Sequence, residues 1–267
     1  MLHRKEKSME YIHSWSGGKD STASIILDYI HNDPPIAKKI IFSEVMFDKE
    51  RGISGEHPEH IEWINTIAIP RLKTMGFEVI KARADKDYLD CFFSLRKKSQ
   101  KPENVGKYYG FPLAKGCHVN REVKMGGIKK ANEIAGKAIQ IIGIAIDEPE
   151  RLSSMHSRKN QISLLEKYGY TEAMAFKLCE DWGMLSPTYR TKSRGGCWFC
   201  PNARIAEMAE LKDEHPELWA ELEKLSHIPN TISRGFKWGE SFASVDQRVD
   251  QYLRSKWMKE NQMKWDV

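Results

Sequence analysis

Two adjacent glycines near the amino end, in Ser14-Trp15-Ser16-Gly17-Gly18-Lys19-Asp20-Ser21-Thr22, limit the folds open to this chain more than any other stretch. They follow Tyr11-Ile12-His13, a short run with strand character, and precede Ala23 to Ile30, where apolar residues recur at helical spacing. The pattern predicts a strand, a tight turn and a helix. Glycine lets the backbone take positive φ and approach a ligand closely, while the first turn of a helix offers unpaired N–H groups and the positive end of its dipole. Ser16, Ser21 and Thr22 add hydroxyls and Lys19 adds a charge, so the turn reads as a cradle for phosphate. The plainer alternative is a Gly-Gly turn with Asp20 capping a helix start. The spacing matches neither Gly-x-x-x-x-Gly-Lys-Ser/Thr nor Gly-x-Gly-x-x-Gly.

Strands and helices continue to alternate behind this turn. Lys39 to Phe47 reads as a second strand ending at Asp48, Pro58 opens a helix to about Met75, and Phe77 to Ala82 forms a third strand. A helix following Cys117 runs to about Gly136, Ala138 to Ile146 is the fourth strand, and Ile162 to Leu165 the fifth. Thr171 is the expected N-cap of a helix reaching Trp182. This alternation implies crossover connections and a parallel sheet whose ligand lies beyond the carboxyl ends of the strands. Past Pro187 it stops, and helices are expected over 202–213, 216–226 and 245–264. The expectation is an α/β fold, a parallel five-stranded sheet with helices on both faces, over residues 1–187. Residues 188–267 would form a Cys-x-x-Cys loop and a helical C-terminal extension.

Composition narrows the class. With 40% hydrophobic and 30% charged residues and no apolar run approaching about 18 residues, a membrane span is not expected. The charged start, Met1 to Lys7, lacks the apolar core of a secretory signal, so a cytoplasmic location is expected. A net charge of +5 neither demands nor excludes a polyanionic partner. Between Asp85 and Pro112, however, Phe92, Phe93, Tyr108, Tyr109 and Phe111 are interleaved with Arg96, Lys97, Lys98, Lys101 and Lys107, a pattern suited to stacking bases and neutralising phosphates, or to a solvated helix with a lid loop.

Five cysteines without a signal peptide favour thiols or metal ligands over a disulfide framework. Cys197-Trp198-Phe199-Cys200 follows Arg194-Gly195-Gly196 and precedes Pro201, a Gly-rich loop that sets two thiolates on one ion or cluster. A four-sulfur site must recruit distant cysteines, and Cys117 and Cys179 are the available ones. Cys91 is read as a core residue.

Ser16-Gly17-Gly18-Lys19-Asp20-Ser21 resembles the pyrophosphate loop (PP-loop) of the ATP pyrophosphatases and of the phosphoadenosine-phosphosulfate (PAPS) reductase-like proteins, the adenine nucleotide alpha hydrolase superfamily with its Rossmann-like fold. Asp48 with Pro58-Glu59, the Cys117 to Lys124 segment, and the Gly-containing strand followed by Asp147-Glu148 and Arg151 are similar to further motifs of that family. The resemblance implies ATP or another adenine nucleotide, with Mg²⁺, held by Ser14, Ser16, Gly17, Gly18, Lys19, Asp20, Ser21, Thr22 and Asp48. It further implies that Lys19 and the loop N–H groups stabilise a leaving pyrophosphate, that Asp20 orients the loop or binds Mg²⁺, and that Arg121, Lys124 and Arg151 hold the acceptor side. By likeness to the iron-sulfur adenylyl-sulfate reductases, Cys117, Cys179, Cys197 and Cys200 would bind a four-iron four-sulfur cluster, with His118 as the alternative to Cys179 and Zn²⁺ as the alternative to the cluster.

A sulfonucleotide reductase of this superfamily attacks with a cysteine on its C-terminal tail, and no cysteine follows Cys200 here. The expected activity is therefore that of an ATP-dependent adenylating enzyme in sulfur transfer or nucleic-acid modification, acting on a nucleic acid or a sulfur carrier. The alternatives are a sulfonucleotide reductase that uses a partner's thiol, and a non-catalytic nucleotide sensor with a structural metal site. The oligomeric state stays open, a homodimer being one option.

Overall fold

The computed structural model describes residues 10–112, 117–190, 196–233 and 235–262. In chain order β1 (Tyr11–Trp15), α1 (Lys19–His31) and β2 (Ala37–Glu44) are followed by the short hairpin β3 (Met46–Asp48) and β4 (Ile53–Ser54). Next come α2 (Pro58–Trp63), continued through a π-helical stretch into α3 (Ile69–Thr74), then β5 (Glu78–Arg83), α4 (Tyr88–Phe92) and β6 (Tyr108–Gly110). A π-helical turn over Asn120–Lys124 leads into α5 (Met125–Ala135), β7 (Ile139–Ile141), α6 (Pro149–His156), β8 (Gln161–Ile162), α7 (Leu164–Lys167) and α8 (Glu172–Asp181). The chain ends in α9 (Ile205–Glu214), α10 (Pro216–Ser226), β9 (Thr231–Ser233), β10 (Gly235–Lys237), β11 (Glu240–Ser241) and α11 (Phe242–Gln262).

Two compact units divide the chain, each assembled from three stretches. The first comprises residues 1–45, 56–85 and 126–195 and holds a five-stranded parallel sheet in the order β5-β2-β1-β7-β8. The chain winds outward from β1 to one edge through β2 and β5, then returns to the other side for β7 and β8. Connections thus reverse direction between β1 and β7, the place where open α/β sheets bind ligands. Strand alternation distributes the side chains. Trp15, Ile40 and Phe42 pack with α1, α2, α3 and α8 in one core, whereas Ile12, Ile41 and Ala82 meet Ala131 and Ala135 of α5 in another. Both faces are therefore covered by helices, as buried parallel strands require.

The expected second strand is divided. Residues 37–44 join the sheet, but Met46–Asp48 turn away to pair antiparallel with Ile53–Ser54 around Gly52 at φ 69°. The expected fifth strand is shorter than its apolar run: only Gln161–Ile162 pair with β7, because Ser163 caps α7 by accepting from the Glu166 N–H and draws Leu164 and Leu165 into helix. Thr171 caps α8 as expected, accepting from the Met174 N–H.

The second unit comprises residues 46–55, 86–125 and 196–267. Its interior is aromatic: Phe47, Tyr88, Phe92, Phe111, Trp198, Phe199, Trp219, Phe236 and Phe242 are all buried and in ring contact. The parallel pairing of β6 with β9 joins segments more than a hundred residues apart in sequence. Phe242, Val245 and Val249 form the buried stripe of α11, and Lys212 of α9 reaches both Asp246 and Asp250 across it. Among the described residues no helix is long and apolar enough to cross a membrane.

Candidate nucleotide loop and cysteine centre

The glycine pair lies where its sequence setting places it, between the carboxyl end of the central strand β1 and the first residue of α1. Gly17 has φ +75°, and a Cβ there would stand 2.6 Å from the His60 ring, so both conformation and space call for glycine. Gly18 is the N-cap of α1 and supplies no capping side chain, so Asp20 is not the cap. The loop braces itself: the Ser16 N–H donates to Ser21 Oγ (3.3 Å), which donates to the Gly18 carbonyl (3.1 Å). Thr22, expected among the phosphate ligands, is instead buried, its Oγ1 accepting from Trp15 Nε1 at 2.9 Å. Ser14 lies within β1 itself, opposite Ile41 of β2.

Lys19 Nζ is 2.8 Å from Asp20 Oδ1 and 3.1 Å from Glu172 Oε1 at the start of α8. Burial works against its charge, but the two carboxylates outweigh that and hold its pKa above the ordinary lysine value. Asp20 is pushed up by its own burial, which Lys19 only partly offsets. The two carboxylates keep the ammonium charged and positioned. The Lys19 N–H donates to Tyr189 Oη at 3.1 Å.

Three residues outside the expected nucleotide site shape the loop. His60 of α2 is buried, with Nε2 3.2 Å from the Ser16 carbonyl and Nδ1 2.7 Å from Ser186 Oγ, itself 3.0 Å from Thr188 Oγ1. A carbonyl can only accept, so Nε2 carries the proton and Nδ1 accepts from Ser186. Burial lowers the His60 pKa, the Ser16 carbonyl opposing, and the ring is neutral. Gly143, just past β7, approaches so closely that a Cβ would fall 2.4 Å from the Ser21 nitrogen. Its signal was the single glycine in the apolar run Ile141-Ile142-Gly143-Ile144, which marks close backbone approach. Tyr189, the third, carried no signal in sequence.

Cys179, expected as a metal ligand, has a different place. It is buried on α8 of the sheet unit, and its thiol donates to the Lys19 carbonyl at 3.1 Å. Burial, with the nearby Asp20 charge, raises its pKa to about 12. Arg151, expected on the acceptor side, is exposed and paired with Glu148, whose charge also reaches Asp20.

The remaining expected residues belong to the second unit. The Asp48 carboxylate is committed to Arg51, whose guanidinium also grips Glu221 in a bidentate pair at 3.0 and 2.8 Å. Arg121 pairs with Glu122 and, like Lys124, is exposed on the π-helical turn. Cys197 and Cys200 flank a tight turn closed by the Cys200 N–H on the Cys197 carbonyl (3.1 Å), with Trp198 and Phe199 buried between them. Trp198 Nε1 donates to the Ser54 carbonyl, and Lys237 Nζ clamps the carbonyls of Pro201 and Ala203 just beyond. The Asn120 N–H points at Cys117 Sγ (3.4 Å). The buried Tyr88 ring packs 4.3 Å from Phe199, and burial pushes its hydroxyl well above the ordinary tyrosine value. Cys91 is buried with its pKa pushed up to about 12, and His118 is held neutral by burial. Among the described residues no three of these donor atoms all lie within 4.8 Å of one another. Arg194 and Gly195 fall outside the described residues, as does Gly116.

Of the interleaved aromatic and basic residues, Phe92 and Phe111 are core, while Phe93 is exposed. Arg96, Lys98, Ser99, Gln100, Lys101 and Asn104 line an open basin of about 600 Å³, with the Arg96 guanidinium 5.4 Å from the Tyr109 ring centre.

No family model matches the chain, and no curated protein sequence does. Among solved structures it is similar to the U34-tRNA thiolase NcsA from Methanococcus maripaludis with its [4Fe-4S] cluster, at 17% identity and a TM-score of 0.38, over 83% of this chain and 73% of that one.

Proposed function

We propose that this chain is an ATP-dependent adenylating enzyme of the PP-loop, PAPS reductase-like type, serving sulfur transfer or nucleic-acid modification. The supporting observation is the Gly17-Gly18-Lys19 turn at the carboxyl end of the central strand, where the N-cap of α1 is a glycine without a side chain and Lys19 stands charged beside it. An acceptor oxygen attacks the α-phosphorus of ATP, the bond to the bridging oxygen breaks, and pyrophosphate leaves with the electron pair. Lys19 and the loop N–H groups take up the charge that develops on it, and Asp20 with Glu172 offers oxygens for Mg²⁺. The basin around Arg96 and Lys101 suits an acceptor carrying phosphates.

The cysteine turn suits a metal centre in the second unit. Cys117, Cys197 and Cys200 would hold it as thiolates inside an aromatic shell, and its chemistry would be the handling of sulfur for transfer to the activated acceptor. Cys91 and Cys179 are poor candidates for the nucleophile of a sulfonucleotide reductase, since burial holds both thiols protonated.

The test is pyrophosphate exchange into ATP and ATP binding by the full chain with Mg²⁺. Lys19→Ala is expected to lower exchange by about 10²–10³-fold. Wild-type protein that binds no adenine nucleotide ends the proposal.

A further inference from the structure

Tyr189, on the 3₁₀ turn Pro187–Arg190, brings a hydroxyl onto the glycine turn of the same unit. Its Oη accepts from the Lys19 N–H at 3.1 Å and stands 3.3 Å from where a Cβ on Gly18 would lie. Two contacts hold the residue in place: its ring meets Phe176 edge-on at 6.2 Å, and its backbone N–H donates to the Ser186 carbonyl at 3.1 Å. Ser186 in turn partners His60, which donates to the Ser16 carbonyl. Tyr189 is thus fixed against the loop from which its hydroxyl takes a hydrogen bond.

The donors of that loop are partly spent. The Ser16 N–H donates to Ser21 Oγ, the Gly18 N–H to Ser16 Oγ and the Lys19 N–H to Tyr189 Oη. A tyrosine hydroxyl accepts through its lone pairs and carries one proton of its own. The Lys19 N–H engages a lone pair, and among the described residues the proton has no acceptor. Burial holds the Tyr189 pKa above the ordinary tyrosine value; the titratable groups acting on it are Lys19 and Asp20 of α1 and Cys179 of α8, and the hydroxyl stays protonated at neutral pH. The N–H withdrawn from the helix start is therefore returned as an O–H, polarised by the bond it accepts. Beside a lysine ammonium and the positive end of α1, the acceptor that suits this proton is an anionic oxygen.

We propose that Tyr189 is a nucleotide-binding residue whose hydroxyl, backed by the Lys19 N–H, donates to an oxygen of the pyrophosphate portion of the bound nucleotide. The proposal rests on reading the glycine turn as a pyrophosphate loop. The contact forms with ATP and with free pyrophosphate, and AMP, which lacks that portion, does not make it.

The experiment is isothermal titration calorimetry of the full chain with Mg²⁺ and, in turn, pyrophosphate, ATP and AMP. Tyr189→Phe is expected to weaken pyrophosphate and ATP by about 10- to 100-fold, the loss of one hydrogen bond to a charged group, and to leave AMP unchanged. A second variant keeps the oxygen and the packing: 3,5-difluorotyrosine in place of Tyr189, whose hydroxyl ionises at lower pH. As pH rises through that ionisation the donor is lost, so pyrophosphate affinity is expected to fall relative to wild type. A hydroxyl that served only to accept from the Lys19 N–H would accept better as an anion and leave that affinity level. Pyrophosphate bound by Tyr189→Phe as tightly as by wild type, an equal loss for AMP, or a difluorotyrosine profile parallel to wild type overturns the role of Tyr189 and spares the loop. Wild type that binds neither pyrophosphate nor ATP overturns the loop reading itself.

Discussion

Replacing Gly143 by alanine probes the contact between the sheet and the nucleotide loop directly. The added Cβ would stand 2.4 Å from the Ser21 nitrogen, 2.5 Å from the Asp20 carbonyl carbon and 2.7 Å from the Ser21 Cα, all backbone atoms that no rotamer change can clear. Ordinary contact begins near 3.4 Å, so the first turn of α1 must retreat by about 1 Å. Overpacking of this kind costs about 1–3 kcal/mol, which in a chain of this size lowers the melting temperature by about 2–12 °C. The same displacement moves Lys19 and the loop N–H groups away from the leaving pyrophosphate, and a misplacement of about 1 Å can cost about 10²-fold in rate. Differential scanning calorimetry reads the first effect, and pyrophosphate exchange with ATP titration reads the second. If Gly143→Ala melts with wild type and exchanges pyrophosphate at the wild-type rate, the close approach of β7 to α1 is wrong.

Two further substitutions address single elements. His60 titrates below the ordinary 6.5 because burial disfavours its charge; as pH falls below about 6.5 the unfolded chain takes up a proton that the folded one refuses, so stability present above that pH is lost, at most about 1.4 kcal/mol per pH unit. His60→Gln should flatten this acid limb in urea titrations between pH 6.5 and 5, and an unchanged slope would show that the imidazole is not buried against Ser16. At the basic basin, Lys101→Ala should weaken binding of a single-stranded oligonucleotide alike for all sequences and reduce the salt slope by about one; a sequence-dependent loss, or none, would remove the basin from the acceptor site.

Sequence and tertiary structure each decided different parts of this protein. The glycine turn, the alternation of strands and helices, the Thr171 cap and the three closing helices were all legible along the chain, because each depends on residues within a turn or two of one another. The strand-turn-helix setting of Ser16 to Ser21 was legible for the same reason. What the chain order did not reveal was partnership across distance. Residues 86–125 join residues 196–267 in one unit because β6 pairs with β9 and the aromatic rings of both stretches share a core, and neither fact leaves a periodic mark. Cys179 and His118 were equal candidates by residue type. Packing placed Cys179 in the sheet unit with its thiol donating to the Lys19 carbonyl, a contact that residue type alone does not announce.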